Sequence, residues 1–233
     1  MINILVFSPH PDDAEMVMGG IIKKFSAKYN IAIVYLTNGE ISCDGSMVVR
    51  IRECEKSCRE LSVKKHMFLN FEDLGVLRNS TMQKDEVVKI IRQTKPQIIL
   101  SPHFTDSNID HIEAYWLVKN CRYIAATSKN LELGSPHFCK YIYYYGQNLD
   151  NGNNSIYIDV SDVYKSKINA INCYKSQFGE RVQGSYIKNI LLKSIISKDR
   201  HCGSLFGVEY AEEIIYEGKL MLLDIFQIVN SSL

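Results

Sequence analysis

The apolar positions of this chain come in short unbroken runs. Each run is followed by a longer segment in which apolar residues recur three or four apart. Runs of this length predict strands covered on both faces, and the wider spacing predicts helices. Strands are expected at 2–8, 31–37 (IAIVYLT), 65–70 and 97–101 (QIILS), and helices at 13–28, 47–61, 82–94 and 109–128. Ser80 and Thr81 offer a cap for the third helix, whose Val87, Val88, Ile90 and Ile91 share a face, and Pro96 ends it. Strands alternating with helices of this length predict an α/β protein, a Rossmann-like open and mostly parallel sheet with helices on both faces.

The rhythm changes in the second half. Tyr141–Tyr145 and 156–160 are expected strands on either side of an Asn/Asp/Gly-rich loop at 148–154. Ser161 and Asp162 are placed to cap a helix that runs to 177, and Gly184 precedes another that ends near Gly203. No repeat or low-complexity tract appears. A single domain over 1–233 with a C-terminal extension is expected. The tyrosines of Tyr141–Tyr145 alternate between two faces, which favours core or interface packing over sugar stacking.

Composition narrows the function classes. With 27 basic and 26 acidic residues among 233, the net charge of +1 gives no electrostatic footprint for nucleic acid or an acidic membrane. The start of the chain lacks a basic segment and a small-residue cleavage site, and the apolar stretch at 220–229 is broken by Asp224 and Gln227. The seven cysteines are odd in number and show no CxxC pair, so a soluble cytoplasmic chain with reduced thiols is expected. Cys54 and Cys58 share a helix face; without a second pair, they read as small packing residues ahead of a metal or redox pair.

The chemistry concentrates at two strand ends. Ser8-Pro9-His10-Pro11-Asp12-Asp13 lies between the first strand and its helix, where open α/β sheets bind ligands. The turn lacks the glycines of a dinucleotide site, which argues against a nicotinamide oxidoreductase. It offers one imidazole and two adjacent carboxylates. His10 and Asp13 suit a metal such as zinc, and Asp12 is then free to serve as a base; the plainer alternative is a helix cap beside a buried histidine. Beyond the fourth strand, the segment 102–111 (PHFTDSNIDH) brings two further histidines, and either His103 or His111 completes a His/Asp/His set.

The PHPDD segment (9–13) and the Asp110-His111 pair resemble the LmbE/PIG-L family of zinc-dependent N-deacetylases. The similarity extends through TNGE (37–40), RIRECEK (50–56), YIYYYG (141–146), YIDVSD (157–162), CYKSQF (173–178) and GVEYAEE (207–213). These segments resemble the branch that contains the N-acetylglucosaminyl-malate deacetylase of bacillithiol biosynthesis. The resemblance implies His10, Asp13 and His111 as ligands of Zn2+, or of another divalent ion such as Fe2+. It implies Asp12 as the proton acceptor, Arg50 near the substrate, a small N-acetylated amino sugar as substrate, and a homo-oligomer.

One departure stands out. Family members commonly carry His-Pro-Asp-His where this chain has Asn108-Ile109-Asp110-His111. The resemblance gives the first position a hydrogen bond to the reaction's oxyanion, with Asp110 orienting it. Asn108 keeps an amide donor and loses the titratable ring. The competing readings are a deacetylase for a surface-glycan, antibiotic or nucleotide-sugar precursor, and a metal-binding module with impaired turnover.

Overall fold

The computed structural model describes residues 2–41, 46–146, 154–178 and 185–218, with backbone alone over 185–189. Cys43, Gly184, the stretch at 220–229 and most of the loop at 148–154 lie outside the described residues.

Five parallel strands form the first part of a single sheet: β1 (Ile4–Ser8), β2 (Ile31–Thr37), β3 (Lys65–Phe71), β4 (Ile98–Pro102) and β5 (Tyr141–Tyr145). Between them run α1 (Asp13–Ser26), α2 (Met47–Glu60), α3 (Thr81–Thr94) and α4 (Ile109–Ala126). The expected Ser80 cap forms, its side chain accepting the Gln83 N–H. The chain continues through β6 (Ser155–Asp159), α5 (Tyr164–Ile171), α6 (Lys175–Phe178), α7 (Ser185–Ser204) and β7 (Ala211–Ile215). Strand order is β3-β2-β1-β4-β5-β7-β6, with β7 antiparallel to both neighbours. The second half thus completes the same sheet.

Alternation along β1 divides the core. Leu5 and Phe7 join Val34 and Leu36 of β2 under α3 and α4, while Ile4 and Val6 join Ile33 and Tyr35 under α1, α2 and α5. Each such fully buried side chain contributes about 1.5–3 kcal/mol by leaving water. No helix among the described residues is long and apolar enough to cross a membrane.

Two expectations are corrected. The helix expected over 161–177 is two helices, and neither Ser161 nor Asp162 caps it: Ser161 bonds back to Asp159, and Val163 begins α5 without a side-chain cap. Tertiary hydrogen bonds fix the break, since Glu53 of α2 accepts both the N–H and the hydroxyl of Ser176, at 2.8 and 2.6 Å. Strand β7 carried no strand signal, because its Glu212 and Glu213 are carboxylates in buried positions.

Glu212 explains itself through α1. That helix is kinked at Met18, where φ and ψ leave the helical range, and the N–H groups of Gly20 and Ile21 bond to Glu212 at 2.9 and 2.6 Å instead. A β-carbon at Gly20 would lie 2.7 Å from Val160 and 3.0 Å from the Glu212 carboxylate, so glycine leaves the room in which Glu212 reaches the helix. Fully buried Lys167 then bridges Glu212 at 2.8 Å and Asp199. Lys167→Met leaves two buried carboxylates without their cation and is expected to destabilise the chain by about 3–5 kcal/mol. Denaturant unfolding checks this, and a loss below about 1 kcal/mol would contradict it.

Candidate metal centre and cleft

β1 and β4 are adjacent and parallel, so the segments that follow Ser8 and Pro102 leave the same sheet edge side by side. The chain moves from β1 toward β2 on one side and from β4 toward β5 on the other. Connections that diverge in this way open a crevice at the carboxyl ends of the strands.

The first loop is tightly held. Ser8 Oγ donates to the His10 carbonyl at 2.7 Å, and the Pro9 carbonyl accepts from both the N–H and the hydroxyl of Thr37, each at 3.0 Å. Asp12 has φ 108°, a left-handed conformation that costs a non-glycine residue about 1–3 kcal/mol. Arg50 of α2 secures it, with Nη2 donating to the Pro11 carbonyl at 2.6 Å and Nη1 to Asp12 Oδ2 at 3.2 Å. The Asp12 side chain makes no capping bond.

His10 and His111 meet at one carboxylate. His10 Nδ1 lies 3.0 Å from Asp13 Oδ2, and His111 Nε2 lies 3.1 Å from the same oxygen. Their outer nitrogens are taken by other carboxylates: His10 Nε2 faces Asp73 at 3.0 Å and Asp110 at 3.1 Å, and His111 Nδ1 faces Asp106 at 2.9 Å. In a neutral ring, donating the outer N–H would leave a lone pair on each inner nitrogen, the arrangement of metal-ligating histidines. His111 Nε2 is buried and makes no hydrogen bond among the described residues.

Electrostatics point the same way. Asp12, Asp13, Asp73, Asp106 and Asp110 surround two imidazoles and one guanidinium. Burial disfavours charge on His10, but Asp13, Asp110 and Asp73 outweigh it and push the imidazole up to about 12. His111 is pushed up to about 10 against its own burial by Asp13 and Asp106. Burial raises Asp12 to about 6 even though Arg50 opposes the shift. A divalent cation would supply the positive charge that protons otherwise supply here. Arms of about 2.0 Å give a tetrahedral edge of about 3.3 Å, close to the observed donor separations. The donor set fits a metal.

A cleft of about 240 Å³ opens onto this centre. His10, Asp12, Asp13, Asp73 and Asn108 line it beside Met16, Ile41, Leu74, Gln177, Phe178 and Leu191. Asn108 Oδ1 caps α4 by accepting the Asp110 N–H at 2.9 Å, which leaves the amide Nδ2 as its donor.

The structure revises several roles. Asp110 does not orient residue 108 through its carboxylate; that group holds His10 and accepts the N–H groups of Leu74 and Val76 at 2.8 and 3.1 Å. Arg50, which the resemblance implies near the substrate, is buried against Asp12 and is not among the residues that line the cleft. His103 stands outside the ligand set, its Nδ1 on Thr105 and its Nε2 3.5 Å from Glu217. Asp73 was not singled out from sequence. Its position just past the carboxyl end of β3 was the available signal.

A family model described as PIG-L, GlcNAc-PI de-N-acetylase, matches residues 5–121. The diacetylchitobiose deacetylase of Thermococcus kodakarensis is 30% identical, the match covering 91% of this chain and 82% of that protein. The chain belongs to the PIG-L family. A conserved protein of Thermus thermophilus shares the fold at TM-score 0.86 and 24% identity, over 97% of this chain and 99% of that one. The 4-carboxy-2-hydroxymuconate hydratase of Pseudomonas putida does so at TM-score 0.79 and 18% identity, over 97% and 100%. One fold thus houses different chemistries, and the function of this PIG-L chain must be argued from its site.

If Asp106 orients a ligating His111, then Asp106→Asn is expected to weaken zinc binding at this centre by about 10–100-fold. Competition with a chromophoric chelator measures this, and unchanged affinity would remove Asp106 from that role.

Proposed function

We propose that this chain is a zinc-dependent hydrolase that removes the acetyl group from an N-acetylglucosamine-type sugar. The convergence of His10, Asp13 and His111 on one point, with Asp12 beside them in the cleft, carries this reading. His10, Asp13 and His111 would hold the ion. When bound, zinc supplies Lewis acidity toward an amide carbonyl and acidifies water toward a pKa of about 7.

Asp12 takes the proton of the attacking water and returns it to the departing amine nitrogen. Arg50 serves this step from behind, by holding the loop and aiming Asp12. Asn108 lines the cleft, and its Nδ2 would be the hydrogen-bond donor for the oxyanion. Asp110, Asp73 and Asp106 keep the two imidazoles oriented. The apolar and aromatic wall of Met16, Leu74, Phe178 and Leu191 suits the weakly polar faces of a pyranose ring.

Within this reading, N-acetylglucosaminyl-malate is supported by the resemblance through the second half of the chain, and diacetylchitobiose by the Thermococcus relative. A panel of both compounds and a nucleotide-linked N-acetylglucosamine, assayed for free amine on zinc-loaded protein, separates them. Asp12→Asn is expected to retain zinc and lose about 100–10,000-fold in turnover. No amine from any panel member with the parent protein, or full activity in the variant, would overturn the reading.

Asn108 combines two duties that one substitution separates. Asn108→Asp preserves a capping oxygen and removes the amide donor. Turnover is expected to fall by about 100–1,000-fold with little change in Tm. Unchanged turnover would exclude Asn108 as the oxyanion donor.

A further inference from the structure

The deacetylase chemistry leaves one buried polar cluster unused. Arg50, Cys54 and Cys58 form a stripe along α2, and behind Arg50 the two thiols are buried against Glu15 of α1. One carboxylate oxygen of Glu15 and the sulfurs of Cys54 and Cys58 all lie within 4.8 Å of one another. Glu15 Oε1 already accepts from the hydroxyls of Tyr35 and Tyr174, each at 2.6 Å. Oε2 is fully buried and makes no hydrogen bond among the described residues. An orphaned oxygen on a fully buried carboxyl group requires an explanation, and an ion is one, in place of the proton that burial otherwise favours.

The sequence offered two cysteines without a second pair. The structure supplies the missing donors from other elements. His66, on the edge strand β3, interacts with the Cys58 sulfur and is only half-buried, which provides a route for an ion. A hydrogen bond from Cys54 and the proximity of His66 hold the Cys58 thiol down to about 5 although burial opposes this. Thiolate is the form that ligates metals. Cys54 is held up by burial, so it would release its proton when an ion binds.

We propose that Glu15, Cys54, Cys58 and His66 form a second metal site, which takes one thiophilic divalent cation of the zinc type. Two sulfurs and one carboxylate oxygen already lie within 4.8 Å of one another, and the His66 imidazole beside Cys58 would move in to complete the tetrahedral set that structural zinc requires. The ion would tie α1, α2 and β3 together and so fix the helix that delivers Arg50 to Asp12.

Cobalt(II) tests this, because the cleft centre offers only nitrogen and oxygen donors. In reductant, a His10→Ala/His111→Ala variant is expected to show thiolate-to-cobalt charge-transfer absorption on adding cobalt(II), and a Cys54→Ser/Cys58→Ser parent to lack it. Zinc analysis is expected to give about two ions per parent chain and about one in the histidine variant. No charge-transfer band in either the parent or the histidine variant, each shown folded by circular dichroism, would overturn the second site. So would about one and no ion, respectively. Neither result bears on the deacetylase reading, which is tested by amine release.

Discussion

Two imidazole nitrogens meet the same carboxylate oxygen, a contact that positive charge must hold together whether protons or an ion supply it, and the rest of the molecule is organised around that contact. Asp13 Oδ2 sits 3.0 Å from His10 and 3.1 Å from His111. It reaches both because β1 and β4 are parallel neighbours whose following loops start level with each other. Outer carboxylates fix the direction of each ring, and each is anchored in turn. Asp110 also binds two backbone N–H groups, and Asp73 accepts the Ile41 N–H at 2.9 Å. The segment around Leu74, itself at φ 61°, is thereby held over the centre.

The same organisation accounts for the strain at Asp12. A left-handed aspartate at the mouth of a helix persists only where its surroundings over-determine it. Arg50 supplies two contacts, one to Asp12 and one to the preceding Pro11, Thr37 holds Pro9, and the Asp12 carbonyl accepts the first helical bond from Met16 at 2.8 Å. Strain, burial and a guanidinium on one side leave the other face of the carboxylate toward the cleft. A proton acceptor that must work repeatedly gains from such a fixed orientation, since a freely rotating side chain would lose entropy at every turnover.

Strand ends, helix spacing and the two residue clusters that meet at the strand ends were legible in the sequence because they are local. The run Ile31–Thr37 and the spacing of Val87, Val88, Ile90 and Ile91 depend on residues a few positions apart. Asp73 and Glu15 were illegible for the opposite reason: each acquires meaning only from groups brought in by other elements, such as His10 across the sheet end or the phenols of Tyr35 and Tyr174. Arg50 illustrates the intermediate case. Its neighbourhood was implied by resemblance, yet whether it faces the cleft or the back of Asp12 depends on how α2 docks. Strand β7 was hidden because Glu212 and Glu213 follow the demands of the kinked α1 and of the adjacent strand, with Ser155 donating to Glu213.

The division of labour along the chain follows from these dependencies. Every group at the candidate metal centre, together with Asn108 and Arg50, falls within 5–121, the part matched by the family model. Gln177, Phe178 and Leu191 on the cleft wall come from beyond it. Those walls are nevertheless rigidly coupled to the centre, because Glu53 grips Ser176 and Glu212 completes the broken hydrogen bonding of the helix that begins at Asp13. Changes in the wall can therefore reshape the cleft without moving His10, Asp13 or His111, whereas changes at Glu212 or Lys167 disturb the helix that carries Asp13. Such an architecture permits one chemistry with different cleft walls, since α6 and α7 carry part of the wall while the first half of the chain carries the centre.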